Sequence, residues 1–325
     1  MCERCDRKST SHPGQMELLK NLAPYILITR PKNLLIVGLT QFIIYYCLFN
    51  KFGNEVTLSG YLLYLFILDT ILITASGYII NDVFDNKADA VNKPKKTYIP
   101  HAISINKALL YYFTILTVGL FLCVFIAIKI NHLPSMFLYI LACGTLYLYS
   151  LRYKNTVLIG NVIVSLFVAF VPGIILFFEW LFIFQKPDLP SKIVVVQLLL
   201  FYIVFSFLVN LIREIIKDIE DKEGDQNEGI ITLPIKYGIA IAKKWCISLA
   251  FLTILLLASW IILNNIPFDF TVQVYLLLFV AAPLVIIIQI LTNTTVKRDF
   301  NKISTILKWV MLAGLGAIFL ISKTI

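Results

Sequence analysis

Nine long apolar runs, each close to the length needed to cross a bilayer, constrain this chain more than any other feature of it. They lie near residues 33–50, 58–80, 106–130, 134–151, 157–182, 194–216, 244–264, 271–292 and 305–322, each bounded by charge, proline or glycine. The hydrocarbon core requires about 20 apolar residues per helix and offers no partner to the open edge of a sheet. The expected fold is therefore all-α, a polytopic membrane bundle of about nine transmembrane helices. Composition agrees: 59% of residues are hydrophobic and 14% charged, against roughly 45–50% apolar and about 25% charged in soluble domains.

The flanking segments set the organisation. Residues 1–23 read as a polar tail without the apolar stretch of a cleaved signal sequence, and 24–325 as a single integral-membrane domain. Glu17 to Arg30 mixes polar and apolar residues in the manner of an interfacial segment. Cys2 and Cys5 with His12 fall short of the four ligands of a structural zinc site, and Cys47, Cys123, Cys143 and Cys246 lie in apolar runs as small hydrophobes. Threading nine spans places 23 of the 28 basic residues on one side, leaving Lys51, Lys129, Lys186, Lys192 and Lys323 opposite. By the positive-inside rule the N-terminus is cytoplasmic. Basic loops beside anionic headgroups account for the net charge of +9 without a nucleic-acid partner.

Against this background two acidic patches stand out. Asp82, Asp85 and Asp89 match Asp218, Asp221 and Asp225 at a constant offset of 136 residues, and Asn81 precedes the first set. Four spans separate the two, returning both to the same face. At about 100° per residue each DxxDxxxD set occupies an arc of roughly 60° on a helix, so each motif is expected to extend its helix as a strip of oxygen ligands. Carboxylates converging about 4 Å apart near a protein surface repel by about 4 kcal/mol per pair, which calls for a cation between them. Hard oxygen donors select Mg²⁺ or Ca²⁺, and Mg²⁺ is commonly held by one or two carboxylates plus substrate phosphates. The expected metal candidates are Asn81, Asp82, Asp85, Asp89, Asp218, Asp221 and Asp225. Alone, either strip would read as an acidic loop neutralised by lysines; their repetition on one face argues against that.

A diphosphate also needs cationic donors. Arg30, Lys32, Lys93, Lys95, Lys96, Lys154 and Arg213 share the acidic side, where Lys and Arg can contact phosphate oxygens. Arg30, Lys96, Lys154 and Arg213 are the expected diphosphate contacts; Asp85, Asp221, Lys154 and Arg213 are the expected catalytic group. Glu214 lies one turn before Asp218 and is either a further ligand or neutralised by Lys217. Asp69 falls mid-span, more than three turns from Asp82, and is expected to line an internal cavity or a helix contact. Glu179 is expected to mark the far interface.

Taken together, these residues resemble the UbiA-type intramembrane prenyltransferases. Asn81-Asp82-x-x-Asp85-x-x-x-Asp89 resembles that family's first aspartate-rich motif and Asp218-x-x-Asp221-x-x-x-Asp225 its second. Arg30-Pro31-Lys32-Asn33, Tyr149-Ser150 with Lys154, Gly160-Asn161 and Thr232-Leu233-Pro234 also resemble family positions. The likeness runs from about residue 24 to 322. It implies Mg²⁺-dependent transfer of a prenyl group from an isoprenyl diphosphate to a lipophilic acceptor. Asp89 to Pro94 and Arg213 to Asp221 look most like the digeranylgeranylglyceryl phosphate synthase branch, whose acceptor is the hydroxyl of geranylgeranylglyceryl phosphate. An aromatic acceptor of the kind used in quinone biosynthesis is the alternative. One departure concerns Lys96-Thr97-Tyr98-Ile99-Pro100, which carries lysine where relatives often have arginine, so a point charge replaces a bidentate contact. Prenyl transfer would expose a carbocation, for which Phe84, Tyr147, Tyr149 and Tyr153 offer aromatic faces. Another class, a divalent-cation transporter, would place its carboxylates near the bilayer midplane on broken helices rather than at span ends. The implied setting is a bacterial or archaeal cell membrane, with the site facing the cytoplasm and no obligate protein partner.

Overall fold

The computed structural model describes residues 13–86, 97–179, 183, 190–263, 269–294 and 296–323, and all regular structure among them is helical. In chain order the helices are α1 (Pro13–Ile28), α2 (Pro31–Ile44), α3 (Tyr61–Phe84), α4 (Ile105–Lys129), α5 (Ser135–Leu151), α6 (Ile159–Phe178) and α7 (Pro190–Glu220). There follow α8 (Lys222–Asn227), α9 (Leu233–Lys236), α10 (Ile239–Leu263), α11 (Phe270–Leu276), α12 (Ala282–Asn293) and α13 (Lys297–Ile321). A π-helical turn at Tyr45–Phe49 prolongs α2, and another at Leu277–Ala281 joins α11 to α12. Eight helical stretches among the described residues are long and apolar enough to cross a membrane, and α5, at 17 residues, is a shorter apolar helix in the place of the expected fourth span. The chain is an integral membrane protein.

Several helices run past their apolar stretches. Helix α7 has 31 residues, about 46 Å at 1.5 Å per residue, against a hydrocarbon core of about 30 Å. Its C-terminal turns carry Arg213 through Glu220, so the second acidic motif begins on the rigid end of a long helix. Helix α1 starts at Pro13, where a first-turn proline loses no intrahelical hydrogen bond. At its other end α1 docks rather than lying free, with Ile28 buried and Tyr25 meeting Tyr111 edge-on at 5.6 Å.

Packing places α7 at the centre, against α6, α10 and α13. Helix α13 also packs on α2, so the last span closes against the first, while α3 packs on α4, α5 and α2. The main core follows this arrangement, running from Ile44 and Phe49 through Val209, Ile212 and Ile216 to Leu284, Ile303 and Val310. A second, smaller core of Ile28, Ile79, Ile80, Val83, Ile99 and Ile103 sits beneath the C-terminal end of α3 and fixes where the first acidic motif emerges.

Opposite the motifs, Glu179 ties the end of α6 to the segment ahead of α3. It caps α6, is fully buried, and accepts hydrogen bonds from the backbone N–H groups of Thr57 (2.7 Å) and Leu58 (2.8 Å). Two oxygens thus satisfy two consecutive donors ahead of α3. Glu179→Ala orphans both, at about 1–3 kcal/mol per donor. We expect a clearly lowered thermal midpoint in detergent, with Glu179→Gln, which keeps one acceptor oxygen, falling between Glu179→Ala and the wild type.

Candidate active site

Both acidic motifs end their helices in the same way. Helix α3 stops at Phe84 and α7 at Glu220, and the following aspartates leave helical geometry together: Asp85 at φ −90°, ψ 2° and Asp221 at φ −93°, ψ 3°. Each still donates its N–H to the carbonyl four residues back, Asn81 O at 2.9 Å and Lys217 O at 2.8 Å. The continuous strip of three aspartates expected from helical spacing is therefore broken at its middle member. The apolar stripe that stabilises each helix by packing has run out there, and a short acidic side chain competes with the helical backbone. After Asp221 the chain resumes as α8, where Asp225 is buried and its N–H reaches Asp221 O at 3.1 Å. Asp89, with Lys93, Lys95 and Lys96, lies outside the described residues.

Around Asp85 the charges are compensated closely. Asn81 Nδ2 donates to Asp85 Oδ2 at 2.5 Å, and the Lys154 ammonium pairs with the same oxygen. Lys154 sits on the short 3₁₀ turn Tyr153–Asn155, which lies directly on α6. That approach needs glycine at 160, because a Cβ there would stand 3.1 Å from Tyr153 O and 3.2 Å from the Lys154 Cα. The next residue, Asn161, is buried and donates through Nδ2 to Asp218 Oδ2 at 2.8 Å. One turn and one helix start thus join the two motifs. Through Lys154 on Asp85 and Asn161 on Asp218 the two motifs border one common region, termed the chamber.

Asp82, expected in one strip with Asp85, accepts a 2.6 Å hydrogen bond from Arg30 Nη2, while Asp85 pairs with Lys154. The Arg30 guanidinium also lies 4.7 Å from the centre of the Tyr78 ring, whose hydroxyl accepts from Asn33 Nδ2 at 3.3 Å. Arg30 adopts left-handed backbone geometry (φ 55°, ψ 62°) immediately before Pro31 opens α2. Such strain in a non-glycine residue persists where its surroundings hold it, as Asp82 and Tyr78 do here. Sequence reading missed Tyr78; its position one turn before Asp82 on α3 was the available signal.

Further along α7, Glu214 is neutralised rather than exposed as a ligand. Lys217 Nζ donates to both of its oxygens (2.8 and 3.1 Å), and Arg213 Nη1 donates to Oε1 at 2.8 Å. Asp69 is buried in mid-α3 with Oδ1 unpartnered. It lies against Gly119 of α4, where a Cβ would stand 3.3 Å from that oxygen and 2.6 Å from the Tyr139 hydroxyl; it marks a helix contact away from the motifs. Of the aromatic candidates, Phe84 and Tyr147 pair edge-on at 5.9 Å, both partly exposed.

The donors fit a divalent ion in one particular way. Among the described residues no three Asp, Glu, His or Cys side chains already converge on one point, so a protein cage is not preformed. Asn81, Asp85, Asp218, Asp221 and Asp225 nevertheless supply hard oxygens around one chamber, and Lys154 already places positive charge on Asp85. This suits Mg²⁺, which commonly takes one or two carboxylates and completes its shell with phosphate oxygens.

Comparison with known proteins gives the same picture over most of the chain. Residues 42–312 match the UbiA prenyltransferase family. The digeranylgeranylglyceryl phosphate synthase of Methanocaldococcus jannaschii is 31% identical over 301 residues, covering 90% of this chain and 94% of that protein. That of Methanopyrus kandleri is 36% identical over 252 residues, covering 76% and 82%. A solved structure concerned with digeranylgeranylglyceryl phosphate synthase in membranes aligns with a TM-score of 0.64 and 27% identity, covering 94% of this chain and 100% of that one. A UbiA homolog from Archaeoglobus fulgidus bound to GPP and Mg²⁺ shares the fold, with a TM-score of 0.57 and 18% identity over 91% of this chain and 99% of that one.

A ligand that binds only the folded chain at a hundred times its Kd stabilises it by about 2.7 kcal/mol. Mg²⁺ with inorganic diphosphate is accordingly expected to raise the thermal midpoint of the wild type. Asp85→Asn and Asp221→Asn are each expected to abolish most of that shift; its survival in both variants would remove these residues from the ligand set.

Proposed function

We propose a specific reaction for this chain, which belongs to the UbiA prenyltransferase family: Mg²⁺-dependent transfer of a prenyl group from an isoprenyl diphosphate to a hydroxyl of a glyceryl phosphate lipid. The observation that carries it is the pair of equivalent helix ends, Asp85 and Asp221, joined through Lys154, Gly160 and Asn161 into one chamber. The choice of acceptor rests on the likeness to digeranylgeranylglyceryl phosphate synthases along most of the chain.

In this reading Asn81, Asp85, Asp218, Asp221 and Asp225 hold the metal against the diphosphate, with Asp89 extending the first set. A bound divalent ion would neutralise the charge that develops on the departing diphosphate. Lys154 is already poised on Asp85 and turns its remaining donors to the leaving oxygens. Arg30 is a second donor, and Asp82 and Tyr78 hold it in place, so Asp82 acts through Arg30 rather than as a ligand. Lys96 is a further diphosphate contact in this reading. As the allylic C–O bond breaks, its electron pair leaves with the diphosphate, and the acceptor oxygen forms the new ether bond while its proton passes to the released diphosphate. Phe84, Tyr147, Tyr149 and Tyr153 present aromatic faces toward the intervening carbocation.

We place the chamber on the cytoplasmic side, because its end of the bundle carries the basic loops. The test is transfer from radiolabelled geranylgeranyl diphosphate by the purified full-length protein, offered geranylgeranylglyceryl phosphate and aromatic acids in parallel. Ether formation with the glyceryl phosphate is expected, lost on chelation of divalent ions. Lys154→Gln should lower kcat by about 10²-fold or more, since a donor to developing charge contributes on that scale. Prenylation of an aromatic acid alone would overturn the proposed acceptor while leaving the family chemistry intact.

A further inference from the structure

Arg213, Glu214 and Lys217 form a charge cluster that the transfer of a prenyl group does not by itself require. Two cations share one carboxylate: Arg213 Nη1 and Lys217 Nζ both donate to Glu214 Oε1 at 2.8 Å. The cluster thus carries a surplus positive charge, and Arg30 adds to the potential on both Glu214 and Lys217. Arg213 is only 12% exposed along its side chain, and its buried Nε has no hydrogen-bond partner. A buried donor of a charged group left in that condition is costlier than a neutral one. An anion with two adjacent oxygens would satisfy it by the fork geometry that arginine offers to phosphates.

Position decides which anion. Arg213, Glu214, Lys217 and Asp218 span an arc of roughly 140° on α7, with Arg213 at its edge and drawn to Glu214 by their hydrogen bond, so the cluster borders the chamber. It is nevertheless separated from the helix end, since a rise of 1.5 Å per residue puts Lys217 about 6 Å and Arg213 about 12 Å from Asp221, toward the bundle interior. A diphosphate held by metal at Asp85 and Asp221 has Lys154 and Arg30 beside it at the chamber mouth, and its reactive carbon points inward. The acceptor hydroxyl must reach that carbon. In a glyceryl phosphate a hydroxyl lies only a few bonds from phosphorus, so its phosphate comes to rest beside the reactive carbon, at the level of Lys217 and Arg213.

We infer that Arg213 and Lys217 form the subsite for the phosphomonoester of the acceptor, with Glu214 as the internal counter-ion that holds both cations ready and is displaced from them when the phosphate binds. The inference rests on the proposed reaction and adds to it the residues that distinguish a phosphorylated acceptor from its alcohol. Arg213, expected from sequence among the diphosphate contacts, moves to the second substrate.

The full-length protein in micelles tests this with steady-state kinetics for each substrate and with equilibrium binding in EDTA. Each charge-assisted contact is worth about 1.5–3 kcal/mol, or about 10–150-fold in affinity. Lys217→Gln should raise KM for geranylgeranylglyceryl phosphate at least about tenfold and leave KM for geranylgeranyl diphosphate within about twofold. It should also erase the wild-type preference for that acceptor over the same lipid without its phosphate. Glu214→Gln frees both cations and should lower the acceptor KM severalfold, an outcome that loss of structure could not produce. A rise in KM for the diphosphate instead, or a phosphate preference unchanged in Lys217→Gln, would overturn the assignment. Phosphatidylglycerol should compete poorly, since a phosphodiester carries less charge than a monoester; strong competition would give the site to surrounding lipid headgroups and likewise overturn it. If the wild type transfers to no phosphorylated acceptor, the parent reaction fails separately. Metal-free binding of glycerol 1-phosphate then decides the subsite: weakening by Lys217→Gln supports it, and no change overturns it.

Discussion

Carboxylate charge at the edge of a low-dielectric bundle is the constraint to which the rest of this structure answers. An unpaired ion in such surroundings is expensive, and here four of the acidic groups at the motif end have a definite neighbour. Lys154 and Asn81 meet Asp85, Arg30 meets Asp82, Asn161 meets Asp218, and Arg213 with Lys217 meets Glu214. The helices are arranged so that these partners arrive from different parts of the chain. Arg30 comes from the junction of α1 and α2, Lys154 from the turn between α5 and α6, and Asn161 from the first turn of α6. The opposite end is closed by one buried carboxylate, Glu179, serving backbone donors. The bundle therefore has a largely apolar middle and a charged near end, the polarity needed by a reaction that separates an anionic leaving group from a hydrocarbon tail.

Repetition gives the near end its chemistry. Asp85 and Asp221 follow different helices yet share backbone geometry and the same hydrogen bond to the residue four back. Two equivalent helix ends, brought to one face by an even number of spans, set hard oxygen donors around one chamber. A cation transporter would instead carry such groups near the middle of broken helices. The one mid-span acid, Asp69, is packed against Gly119 and Tyr139, away from the motifs.

Much of this was legible in the residues themselves. Apolar runs marked the long helices, because lipid leaves the backbone no alternative to a helix, and the matched DxxDxxxD spacing pointed to two acidic motifs on one face. Spacing alone could not reveal where each helix would stop. It treated Asp82, Asp85 and Asp89 as one strip and did not show that Asp82 would meet Arg30 and Asp85 would meet Lys154. Nor does a pattern of types reveal long-range partners: Asn161 to Asp218 spans 57 residues, and Tyr78 beneath Arg30 is one aromatic among many. The start of α1 at Pro13 and the full length of α7 were hidden for a related reason, since both helices continue through polar residues that hydropathy assigns to loops.

The central claim is that the two acidic motifs act as one metal-diphosphate site. Anomalous diffraction from crystals grown with Mn²⁺ and a non-hydrolysable prenyl diphosphate tests it most directly. The account predicts anomalous peaks in the chamber, with the diphosphate bridging metal coordinated by Asn81 or Asp85 and metal coordinated by Asp218 or Asp221. Peaks confined to one motif, or a diphosphate bound away from both, would contradict it.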